Sequence, residues 1–231
     1  MKKAKLAIML LMAALLAASC TGNAGNTGNT ETGGSKGSES ENAAEKTQSD
    51  KTAEPLVTGI DGTELTVSEE YLLELASETL EILATGDWGA LGGSVHPTQG
   101  LAFVPYGYVQ EDAVRLGIGD VKAIGYDESV RVWGQFDGSG LPIEYTFEEY
   151  FDRFIMSHDF RHAPQISIGR IIRSTVQDNL FVFGNGAEFV EFHFPEGEQY
   201  GEFEWASLRI VFSPYEGDLY LVAIVHEEWT I

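Results

Sequence analysis

A single cysteine, Cys20, stands in 231 residues. No intramolecular disulfide can form, so the core must hold without covalent staples. Basic residues are also scarce: 14 Lys and Arg against 36 Asp and Glu leave a net charge of −22. The deficit is uneven. Residues 1–54 hold six Lys against six acids, whereas residues 55–231 hold eight Lys plus Arg against thirty acids. The net charge therefore belongs to the second part. Such a surface repels phosphate backbones and anionic headgroups, which argues against nucleic acid as a partner and against a domain lying flat on a bilayer. It also attracts cations and basic ligands, although a solvated acidic exterior needs no ligand to explain it.

Motifs with a fixed chemistry are missing as well. There is no His-Glu-x-x-His and no calcium loop of the EF-hand type. Gly-x-Ser-x-Gly, the phosphate-binding P-loop and Gly-x-Gly-x-x-Gly are absent from residues 55–231. Asp137-Gly138-Ser139-Gly140 offers one acidic oxygen donor and reads as a turn before it reads as a cation site. No metal and no cofactor is expected from these patterns.

What is present begins with an export signal: Lys2, Lys3 and Lys5, an apolar run over 6–16, then small residues Ala17, Ala18 and Ser19 before Cys20. The run to Ala18 is short for a membrane span, which takes about 20 residues, and no positive flank follows it. Simple secretion would leave a lone thiol in an oxidising exterior, and acylation removes that liability. These residues resemble the lipobox of bacterial lipoproteins, with Ala17 where that motif most often has Leu. The resemblance implies that 1–19 is a signal peptide and that Cys20 carries the lipid of an extracytoplasmic protein on the cell membrane. It further implies an anchor of two acyl chains on a thioether-linked glyceride, palmitate-like in kind and enough for stable anchoring. Residues 20–54, rich in Gly, Asn, Thr and Ser, read as a disordered linker with a reach of roughly 30 Å. Residues 55–231 are long enough for one domain.

Within that domain, Thr66 and Glu69 at capping-box spacing and an apolar stripe through Leu72, Leu75, Ala76, Leu80 and Leu83 predict a helix over 68–85. Gly86 stops it. Asp87 caps a short second helix with Trp88 and Leu91 that ends by His96-Pro97. Strands are expected at 101–104 and 130–136. Most of 105–129 reads as loop, with a short helix near 111–116. Thr146 and Glu149 predict another helix from 146 to about His158, and strands follow at 166–172, 180–183, 188–194, 208–212 and 219–229. The composition of 219–225 suits a central strand covered on both sides. The order of elements predicts an α+β domain with N-terminal helices packed on a curved antiparallel sheet, and it resembles the nuclear transport factor 2-like cone, which implies a pocket at the open end. His96-Pro97, the Phe-x-Pro-Tyr-x-Tyr of 103–108, Trp133-Gly134, Glu191-Phe192-His193-Phe194 and Trp205 with Ser207-Leu208-Arg209 look like motifs of a group of uncharacterised bacterial lipoproteins. That likeness implies no activity.

Five histidines are the places to look for acid–base chemistry. His158 falls on the apolar stripe of its helix and reads as a packed core residue. His162 lies in a polar stretch beside Arg161. His96 precedes Pro97 at a helix end, where a capping turn competes with a pocket rim. His193 shares a strand face with Glu191 and Phe189, and His226 with Tyr220, Val222 and Ile224. By alternation Glu228 shares the side of His226, and Glu227 does not. Tyr106, Tyr108, Trp133 and Trp229 either line an aromatic pocket or pack in the core. The candidate ligand-binding residues are thus His96, Tyr106, Tyr108, Trp133, His193, His226 and Glu228. Two functions follow: a membrane-anchored, non-catalytic module binding a small molecule, a cell-wall component or a protein, or a pocket enzyme using a histidine and a carboxylate.

Overall fold

Thr66 accepts the Glu69 N–H at 3.3 Å while the Glu69 carboxylate accepts the Thr66 N–H at 2.7 Å. This reciprocal cap starts α1 (Val67–Thr85), and Gly86, at φ 67°, takes the left-handed turn that ends it. The computed structural model describes residues 56–58, 66–195 and 201–230. The lipidation site and linker read from residues 1–54 lie outside them. Among the described residues no helix is long and apolar enough to cross a membrane.

The fold is α+β, built on a seven-stranded sheet. β1 (Leu56–Thr58) forms one edge; β2 (Leu101–Val104) and β3 (Arg115–Leu116) form the other. Between them lie β6 (Gln165–Ile168), β7 (Glu188–Phe194), β8 (Ala206–Tyr215) and β9 (Asp218–Glu228), in the order β1-β6-β7-β8-β9-β2-β3. β6 to β9 run antiparallel, whereas β1 on β6 and β2 on β9 are parallel. A separate hairpin joins β4 (Arg131–Gln135) to β5 (Pro142–Tyr145). Helices α2 (Trp88–Ser94) and α3 (Ile118–Ala123) pack together, and α4 (Phe147–Tyr150) follows the hairpin.

One sheet face carries Phe192, Leu208, Ile210 and Ile224 into a core with Leu72, Leu80, Trp133 and Phe154. The other face is covered by residues 170–187, whose Leu180 and Phe183 pack on Val104, Val211 and Val225. β9 is therefore buried on both sides, as its composition predicts.

Several expectations need correction. The segment 180–183 is a 3-10 turn rather than a strand, because Leu180 and Phe183 bury while Phe181 and Val182 face outward. The strand expected over 166–172 stops at Ile168, where Gly169 takes φ 63°. No helix forms over 111–116; β3 ends there, and α3 begins at Ile118. The helix expected to reach His158 ends at Ile155: after Tyr150 it widens into a π turn, with Met156 N–H bonding to the Phe151 carbonyl at 2.8 Å. His158 is then half-buried between Phe160 and Phe194, outside any helix. A register shift in β8–β9 sends Val222 to the second face with Ala223, so it does not share the side of His226.

Candidate aromatic cleft

A cleft of about 400 Å³ opens where three segments meet. The loop after β2 supplies Pro105, Tyr106, Tyr108, Gln110 and Asp112. The β4–β5 hairpin supplies Trp133, Gly134, Gln135, Phe136 and Asp137, and the stretch after β6 supplies Thr175 and Val176. No Lys, Arg or His lines it. Trp133 is fully buried, stacked on Tyr150 at 4.3 Å with its indole N–H on the Tyr145 carbonyl. It fixes the hairpin. Tyr106 packs edge-on to Phe154 at 5.8 Å, and burial pushes its hydroxyl pKa up, so it stays a neutral phenol. Tyr108 is 45% exposed and offers its ring to the opening. Asp137 accepts the Gly138 N–H at 3.0 Å and the Thr230 hydroxyl, which tethers the hairpin tip to the chain after β9.

The Thr175 wall is held from beneath by buried charge. Arg209 is fully buried on β8, where its Nε donates to Glu191 at 3.1 Å and its Nη2 to Glu227 at 2.5 Å. Glu227 also accepts Ser174 Oγ at 2.6 Å and the Thr175 N–H at 2.7 Å; Glu191 accepts the Ile172 N–H at 3.2 Å. One guanidinium with two carboxylates thereby pins 172–175 to the sheet. Asn179 adds a second clamp, pairing through its amide with both the N–H (2.8 Å) and carbonyl (2.9 Å) of Val109. A sequence pattern could not show this network, because it joins residues far apart in the chain.

The histidines sit elsewhere. His226 lies behind the cleft, 1% exposed, with Nδ1 3.1 Å from the Pro105 carbonyl. A carbonyl only accepts, so Nδ1 carries the proton. Nε2 faces Ser157 Oγ at 3.5 Å and Glu228 at 3.9 Å. Glu228 is held by Arg153 in a two-pronged ion pair. Burial pushes the His226 pKa down to about 4, which keeps the ring neutral. His193 is on the opposite face with Nδ1 2.8 Å from Ser207 Oγ, and Ser207 donates to Glu191 at 2.7 Å. The serine proton points at the carboxylate and the imidazole donates to the serine, the reverse of a histidine acting as general base. Burial, aided by Arg173 and Arg209, lowers its pKa to about 4. His96 Nδ1 accepts the Thr98 and Gln99 N–H groups at 3.3 and 3.1 Å, a capping turn. Trp229 packs on Phe203 at 5.1 Å, away from the lining. Of the sequence candidates, the cleft thus gathers Tyr106, Tyr108 and Trp133, with His226 and Glu228 behind it and His96 and His193 remote.

Among the described residues no group of three His, Cys, Asp or Glu side chains is placed to hold a metal ion. Comparisons with protein-family models, with curated proteins and with solved structures find no match for this chain.

Proposed function

We propose that this chain is a lipid-anchored, extracytoplasmic binding module whose cleft takes a small ligand bearing a positive charge. The observation that carries the reading is the lining: Tyr106 and Tyr108 rings beside the Asp112 and Asp137 carboxylates, with no basic side chain among them. An aromatic face attracts a cation by about 0.5–2 kcal/mol, more as water leaves, and a carboxylate adds charge. A hollow near 400 Å³ falls in the size range of small-molecule sites. The acidic domain raises the local concentration of cations around it. A binding role rather than proton transfer is supported by the exclusion of every histidine from the lining. The anchor at Cys20 and the linker after it enter this proposal from their sequence pattern.

A thermal-shift screen of primary and quaternary amines against neutral sugars tests it. An amine at about a hundredfold over its dissociation constant stabilises by about 2.7 kcal/mol, which raises Tm by about 5–10 °C. That shift should vanish in Tyr108→Ala and Asp112→Asn. Shifts from sugars alone, no shift from any amine, or amine shifts that survive both substitutions would overturn the reading.

A further inference from the structure

The cleft does not end at Tyr108. A second hollow of about 660 Å³ adjoins it, and Tyr108, Gln110 and Asp112 line both. Phe181 and Val182 of the 3-10 turn Leu180–Phe183 line it as well. Because Leu180 and Phe183 are drawn into the core, Phe181 and Val182 must project from the opposite side, where they stand 77% and 44% exposed. Together they form an apolar ledge left exposed among the described residues. Arg115 completes the hollow, its guanidinium 5.0 Å over the Phe183 ring. Burial lowers its pKa, and among the described residues no carboxylate forms an ion pair with it. A partly desolvated guanidinium held by a ring leaves its planar fork of donors open to an incoming carboxylate.

We propose that the two hollows form one groove for an extended peptide, with a basic side chain in the aromatic cleft, an apolar side chain on Phe181 and Val182, and a free C-terminal carboxylate at Arg115. This rests on the cleft reading above and deepens it. Charges of both signs flanking an apolar ledge match a peptide terminus, whereas a neutral glycan uses neither charge. A phospholipid headgroup also carries both signs, but its two charges lie only a few bonds apart with no apolar group between them to cover Phe181 and Val182.

The test is fluorescence-anisotropy titration of the full chain with two matched mixtures of peptides about six residues long, each containing one lysine. One mixture ends in a free carboxylate and the other in an amide. A simple amine and zwitterionic vesicles are run alongside. The free-carboxylate mixture should bind about tenfold tighter than the amidated one, the discrimination that one charge-assisted contact supplies. In Arg115→Gln that ratio should fall to about one, and in Phe181→Ala both mixtures should weaken together. Thermal melts confirm that both variants of these exposed side chains remain folded. Equal binding of the two mixtures to the unaltered chain overturns the inference, as does a ratio that persists in Arg115→Gln. If the amine binds and neither peptide mixture binds better, the groove fails while the cleft stands; if nothing cationic binds, the cleft reading fails too. Vesicles that displace the peptides more strongly than added peptide does would assign the groove to lipid and overturn the peptide.

Discussion

His226 and His193 stand 1% and 2% exposed, and burial holds both pKa values near 4 against 6.5 for a free imidazole. His226 is faced by Glu228, Arg153 and His158, and His193 by Arg173 and Arg209. Between pH 6.5 and 4 the unfolded chain binds protons that the folded histidines refuse. Their contribution to stability is therefore fully present above pH 6.5 and is lost as pH falls toward 4. At pH 5 the loss should be about 2 kcal/mol for each histidine. Urea midpoints at pH 7 and pH 5 check this: the unaltered chain should lose more between the two than a His193→Gln, His226→Gln double variant. Parallel losses would show that other groups set the acid sensitivity. At this scale the sequence is informative about identity and poor about partners. That Glu228 and not Glu227 would lie on the side of His226 follows from strand alternation, and the distances agree. That the Pro105 carbonyl would meet its ring does not follow from any local pattern.

Among the elements, the two capping boxes are written plainly in Thr66/Glu69 and Thr146/Glu149, and both start helices. The turn Leu180–Phe183 shows where composition fails. Four apolar residues in a row suit a buried strand or a buried turn equally, and only the partners across the sheet decide. The Arg209 network was illegible for the same reason: its members lie on three strands. Removing its centre should be severe. Arg209→Met leaves Glu191 and Glu227 buried without a countercharge, and a loss of about 3–5 kcal/mol is expected. Adding Glu191→Gln and Glu227→Gln to it should restore part of that. Denaturant titration of the single and triple variants reads the difference, and no recovery in the triple variant would show that packing, not charge, sets the cost. The loop over this network is equally constrained. A Cβ on Gly107 would come within 2.5 Å of Glu227 Oε2, and that carboxylate cannot move without releasing Arg209 and Thr175. Gly107→Ala should cost about 1–3 kcal/mol, read as a lowered Tm; an unchanged Tm would mean that the loop shifts freely.

For the whole molecule, a folded part with thirty acids against eight bases is consistent with a domain held off an anionic bilayer and open to cationic ligands. The proposed lipid anchor carries a prediction of its own. Cys20→Ser should move the chain from the membrane fraction to the soluble fraction while leaving the domain's Tm unchanged; a variant that still pellets after a salt wash would contradict the anchor. The α+β class was legible because helix and strand periodicities segregate along the chain. The two parallel pairings at the sheet edges were not, since β2 meets β9 across more than half of the domain. The central claim is that binding belongs to the aromatic cleft and not to the buried histidines. Calorimetric titration of an amine from the screen into the unaltered chain, Tyr108→Ala and His193→Gln tests it most directly. The account predicts that Tyr108→Ala abolishes the binding heat while keeping its Tm, and that His193→Gln retains full affinity. Binding that survives in Tyr108→Ala and disappears in a folded His193→Gln would contradict it.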